Sequence, residues 1–187
     1  MNGSHVVMSA EKEEENGNVG QMAFSGKSSQ YWVINQLNGS NIHVEPRDGI
    51  YEFRSGLNGN MCLDVAAAST QINGNIQLYK ANGSDAQRFA IVGSGYGLYT
   101  VMNVNSMRRM HLRGGSGASG TNIVQYMMGA TNAQKWHIFW NKNTNKYQIR
   151  EHPARQTMKI SQFAAVKINQ CFGVLKSLFP AKICWRR

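Results

Sequence analysis

The chain has 187 residues, enough for one domain with its own core and too few for two large ones. Only 16% of the residues are charged, glycine occurs 19 times, proline 3 times and Asn-Gly pairs recur, which favours short strands joined by tight turns and argues against long helices. The formal charge of +10 is unevenly placed: residues 1–141 hold 10 basic and 9 acidic side chains, whereas residues 142–187 hold 10 basic ones against Glu151 alone, so the bulk of the chain lacks the clustered charge of a nucleic-acid groove.

From the N-terminus, no apolar run follows a basic start, and nowhere do about 18 uninterrupted apolar residues occur, so neither a signal peptide nor a membrane span is expected and the compartment stays open. Glu11, Glu13, Glu14 and Glu15 around Lys12 read as a solvated loop. The first copy of an internal repeat, about residues 1–34, follows Asn16-Gly17-Asn18-Val19 with Gln30-Tyr31-Trp32. A second, about 49–92, repeats these marks 57 residues later as Asn73-Gly74-Asn75-Ile76 and Gln87-Arg88-Phe89. In a third, about 97–139, Tyr126 and Gln134 lie 47 residues after Tyr79 and Gln87. A fourth, partial copy at 147–161 tracks Tyr99 onward at an offset of 48 and stops after two strands. Short alternations such as Tyr51, Phe53 and Tyr99, Val101, bounded by Gly, Asn and Ser, read as strands of about five residues.

The three marks Gln30-Tyr31-Trp32, Gln87-Arg88-Phe89 and Gln134-Lys135-Trp136 resemble the Gln-x-Trp repeat of ricin-type β-trefoil lectins. The resemblance covers residues 1–161 and implies an all-β fold, a β-trefoil of three pseudo-repeats. The first copy starts at its second strand, while Tyr147 to Ile160 supplies an opening strand at the other end. Two explanations stay open: a circularly permuted trefoil, or an incomplete piece of a tandem one. In a closed barrel of short strands the aromatic of each mark should point inward. The glutamine amides should satisfy loop backbone groups, because a buried amide must be paired.

A sugar is neutral, hydroxylated at its edges and apolar on one face, so its site needs a fixed acceptor and an aromatic platform. A carboxylate accepts from two adjacent hydroxyls and a ring covers the C–H face. The resemblance places these roles on Asp64, after Leu63, and on Tyr79, 15 residues later, with the amides of Gln77 and Gln87 beside the ligand. Ala86 departs from the asparagine that often precedes the glutamine in sugar-binding copies. In the third copy, Arg113, Tyr126 and Gln134 would form a degenerate second site: Arg113 stands where Asp64 would be, Val124 replaces Gln77, and an arginine only donates, so that copy is either dead or suited to an anionic sugar. The first copy has Met8 and Met22 at the two key places, and the fourth has Ser161.

His5, His43, His111, His137 and His152 show no metal-ligand spacing, nor do Cys62, Cys171 and Cys184, and no Ser or Cys sits in a nucleophile motif, so no metal, cofactor or catalysis is expected. Cys171 and Cys184 remain able to pair in an oxidising compartment. Residues 162–187 leave the repeat pattern and mix Phe172, Leu175, Leu178, Phe179 and Trp185 with basic side chains, reading either as a helix making weak membrane-surface or partner contact or as an irregular extension. The expected function is carbohydrate or glycoconjugate binding, of galactose type or xylan type, through one site in the second copy. The competing readings are a structural or protein-interaction trefoil with decayed sites and a basic module for sulfated polyanions.

Overall fold

The computed structural model describes residues 6–37 and 45–152. The fourth copy beyond His152, with Ser161, the tail 162–187 with Cys171 and Cys184, and His5 and His43 lie outside the described residues.

Twelve strands follow in chain order: β1 (Val6–Ala10), β2 (Val19–Ala23), β3 (Trp32–Gln36), β4 (Gly49–Ser55), β5 (Met61–Val65), β6 (Ile76–Lys80), β7 (Phe89–Gly93), β8 (Leu98–Asn103), β9 (Arg109–Leu112), β10 (Thr121–Tyr126), β11 (Trp136–Asn141) and β12 (Lys146–Glu151). No α-helix occurs among the described residues. Six strands form a closed antiparallel ring, β3-β4-β7-β8-β11-β12 and back to β3. The other six form three hairpins, β1–β2, β5–β6 and β9–β10. The hairpins meet through the pairing of Thr121 with Gln21 and the bridges Asn18–Gln77 and Asn75–Val124. This is a β-trefoil: a barrel without free edges, capped by three hairpins.

The ring closes through β12, whose Tyr147 pairs with Trp32 of β3. One lobe therefore combines β12 with β1, β2 and β3 from the far end of the described chain, and β1 packs beside β12. That connectivity puts the opening strand of the first lobe at the far end of the described residues.

Three equivalent aromatics organise the barrel. Trp32, Phe89 and Trp136 are fully buried and each pairs across two strands at once. On one side the partners are Tyr147, Tyr51 and Tyr99; on the other they are Ser55, Asn103 and Glu151. Large rings fill the centre of a small barrel, and Phe53 meets Phe89 edge to face at 5.7 Å. Trp32 Nε1 donates to the Met8 carbonyl and Trp136 Nε1 to the Met110 carbonyl, both at 3.2 Å, which ties two hairpins to the barrel.

The neighbouring glutamines act as clamps. Gln30 Nε2 donates to the Ala23 carbonyl at 2.8 Å while its Oε1 accepts from the Ser25 and Gly26 amides. Gln87 bridges the Lys80 carbonyl and the Asn82 amide, both at 2.9 Å. Gln134 bridges the Met127 carbonyl at 2.6 Å and the Gly129 amide at 2.9 Å. Each side chain thus satisfies the end of an outer strand and the turn that leaves it, the role expected for buried amides.

The symmetry breaks at Glu151. Its counterpart Asn103 donates to the carbonyls of Asp85, Ala86 and Arg88 and accepts from the Ser106 amide. Glu151 is just as buried, its Oε1 has no partner, and burial pushes its carboxyl up to about 7. Burial disfavours the charged carboxylate, so the folded chain holds this group protonated below about pH 7.

Two predictions follow from the barrel. Because the folded pKa of Glu151 lies above the ordinary 4.5, its contribution is fully present below about pH 4.5 and is lost as pH rises through about 7. Glu151→Gln should therefore flatten the thermal-melting profile between pH 4.5 and 8 and raise Tm at the alkaline end; an unchanged profile would contradict the buried-acid assignment. Gln134→Leu leaves the Gly129 amide and Met127 carbonyl unpaired and should cost about 1–3 kcal/mol in chemical denaturation, whereas a polar surface substitution at Lys135 should cost less than about 0.5 kcal/mol.

Candidate carbohydrate site

The site is built on the β5–β6 hairpin, where strand alternation separates two faces. Leu63, Val65, Ile76 and Leu78 belong to the hydrophobic core. Cys62, Asp64, Gln77 and Tyr79 take the alternate positions, with Cys62 opposite Tyr79 and Asp64 opposite Gln77. Gln77 Nε2 donates to Asp64 Oδ1 at 3.3 Å. Gln87, whose amide holds the Lys80 carbonyl, is near enough to favour the ionised carboxylate as well. Tyr79 is half-buried and lies two residues further along the same face of β6.

Asp64 is only 5% exposed. Desolvation raises its pKa, and the hydrogen bonds from Gln77 and Gln87 oppose that rise. Two amides therefore orient an acceptor that has lost most of its water, a state in which a ligand hydroxyl is a favourable replacement. Ala86 is buried at 4% and brings no polar side chain to the site. Cys62, beside this group, is fully buried, and burial pushes its thiol up to about 11, away from thiolate chemistry.

The other lobes show what distinguishes this one. In β9–β10, His111 pairs with Val124 and Arg109 with Tyr126, the same pattern as Asp64 with Gln77 and Cys62 with Tyr79. The position of Asp64 in this lobe is therefore held by His111. Arg113, which the sequence alone places there, lies two residues further on, exposed, at the start of a 3-10 turn (Arg113–Gly115) that matches the turn at Ala66–Ala68. A two-residue slip keeps every inward side chain inward, so the hydrophobic pattern gives no warning of it. A constant offset of 47, already fixed by Tyr79 and Tyr126, was the signal that leads to His111.

His111 is 9% exposed and stacks on Tyr126, with ring centroids 4.9 Å apart and planes 26° apart. Its Nδ1 is buried without a partner, and desolvation lowers its pKa, so the imidazole is held neutral. Gln134 is occupied by its clamp. In the first lobe, Met8 is a core residue, and Ser9, opposite Gly20, takes the place of Asp64. Here the slip is a single residue, which exchanges the two faces of the strand. Met22 does occupy the Tyr79 position. Of the three lobes, the second is the one with a carboxylate beside a tyrosine.

Comparison with known proteins agrees with the fold. No curated protein sequence matches the chain. Among solved structures, ThreeFoil, a designed threefold-symmetric protein, is 26% identical with a TM-score of 0.65, over 72% of this chain and 90% of that one. The exo-β-1,3-galactanase 1,3Gal43A from Clostridium thermocellum is 18% identical with a TM-score of 0.61, over 74% of this chain but 30% of the enzyme. The Polyporus squamosus lectin, solved with the epitope Neu5Acα2-6Galβ1-4GlcNAc, is 13% identical with a TM-score of 0.53, over 81% of this chain and 50% of the lectin. A ricin-type β-trefoil lectin domain-like family model matches residues 41–126 and 85–167. With the Gln-x-aromatic clamps, the closed barrel and that match in hand, the chain belongs to the ricin-type β-trefoil lectin domain-like family.

Proposed function

We propose that this chain is a non-enzymatic glycan-binding module that takes a neutral sugar, of galactose or xylan type, on the outer face of β5–β6. The observation that carries the reading is the grouping of Asp64, Gln77 and Tyr79 on one hairpin, with Gln87 reaching it from the turn before β7. Asp64 accepts two hydroxyls, the amides fix its orientation, and Tyr79 covers the apolar face of the ring. The lectin-type fold supports carbohydrate as the partner class, and galactose-containing glycans figure in the names of two proteins that share the fold. A single site of this size buries little apolar area, so affinity is weak and useful avidity comes from repeated modules.

The competing reading is a structural or protein-interaction trefoil, and the observation in its favour is the burial of Asp64 at 5% exposure. Arg113 and Tyr126 carry less weight as an anionic-sugar site, because Arg113 is displaced from the acceptor position and His111 covers one face of Tyr126.

A glycan array of neutral galactosides, xylans and sulfated glycans, run with the wild type and Asp64→Asn, separates the possibilities. Binding to a neutral glycan that falls about tenfold or more in the variant, the worth of a charge-assisted hydrogen bond, supports the proposal. Salt-sensitive binding to sulfated glycans that survives the substitution would assign the module to polyanions instead, and silence across the array would leave the interaction trefoil. The affinity should also weaken on acidification as Asp64 takes up a proton, at a pH above the ordinary carboxylate range because its pKa is raised. A neutral-sugar affinity unchanged down to pH 4 would remove Asp64 from the site.

A further inference from the structure

On the opposite side of the alternation from the barrel core, β11 and β12 bring two imidazoles together. His137 lies across from Arg150 in the register, and His152 follows the last residue of β12, with its amide bonded to the Lys135 carbonyl at 2.8 Å. The strand geometry sets His137 Nε2 and His152 Nδ1 3.2 Å apart, a ring-to-ring hydrogen bond that a bound ion would replace, on rings whose centroids are 5.3 Å apart. Both side chains are half-buried rather than sealed. The two residues are 15 apart in sequence, a spacing that signals nothing until the hairpin folds.

We propose that His137 and His152 form a chelating site for a divalent transition ion of zinc type, separate from the sugar face. Zinc–imidazole bonds of about 2.0–2.1 Å in tetrahedral geometry place two ligand nitrogens about 3.3–3.4 Å apart, so the observed spacing accepts an ion after a small tilt of the rings. The position of His137 is already defined by its surroundings. Its ring stacks on Phe139, with centroids 5.4 Å apart and planes 20° apart. The cation nearest the pair, Arg150, is drawn onto the other ring of the cluster: its Cζ sits 4.5 Å from the Phe139 centroid. Among the described residues these two imidazoles are joined by no third converging His, Cys, Asp or Glu side chain. Water completes the coordination, and two imidazoles select a borderline ion such as zinc over magnesium, which prefers oxygen. An ion held there bridges β11 to the end of β12, the strand that closes the barrel, and so stabilises the folded chain by mass action.

Thermal melting of the full chain in rising zinc chloride, with magnesium chloride as control, tests this together with two-dimensional NMR of the histidine rings. The expected result is a Tm that climbs with zinc and not with magnesium, a zinc affinity at least about tenfold weaker in His137→Gln and in His152→Gln, and zinc-dependent movement of the His137 and His152 ring signals with His111 unmoved. The ring signals of the wild type decide the matter even if a variant folds poorly. No zinc response, or a response that leaves those two rings untouched, overturns the site.

Discussion

Burying three large aromatics at the centre of a short-stranded barrel, while pairing the glutamine amides beside them, is the constraint from which the rest of the molecule follows. Trp32, Phe89 and Trp136 each sit between two partner strands, so one residue fixes the register of two interfaces. Two positions earlier, a glutamine that is also buried cannot remain unpaired at low dielectric. It reaches back to the end of the preceding outer strand and the turn beyond it. The triplet thus couples barrel filling to hairpin placement, which explains why it recurs three times while the intervening residues drift.

That drift changes the chemistry from lobe to lobe. The three hairpins share a backbone geometry, yet the acceptor position holds Ser9, Asp64 and His111 in turn, and the platform position holds Met22, Tyr79 and Tyr126. Their chemistry differs more than their geometry does. Asp64 is steadied by two amides. His111 spends its face on Tyr126 and leaves a buried ring nitrogen unpaired. A fold of threefold symmetry therefore carries a single carboxylate–tyrosine face.

The same tolerance appears inside the barrel. Ser55, Asn103 and Glu151 occupy one equivalent position, but Asn103 alone can donate to three carbonyls while also accepting an amide. Glu151 is accommodated by burial that disfavours its charged form, so its ionisation costs stability as pH rises through about 7. It sits on β12, the strand that joins the two ends of the described chain, so closure of the ring and the titration of this carboxyl are linked.

By itself the sequence determined the repeat, the all-β class, the inward direction of the three aromatics and the clamping role of Gln30, Gln87 and Gln134. These are legible because periodicity and the need to pair buried amides act locally and repeat. It also nominated Asp64, Gln77 and Tyr79, which the β5–β6 register brings onto one face, and Gln87, which clamps the end of β6. Tertiary structure alone decided the counterparts of that site in the other lobes, because a slip of two residues preserves the hydrophobic alternation that carries the signal and a slip of one is hidden where both faces of a strand are buried. Only the folded chain could show β12 closing against β3, Glu151 Oε1 buried without a partner, and His137 beside His152. Each depends on contacts between residues distant along the chain, and such contacts are set by strand pairing rather than by the order of neighbours in the sequence.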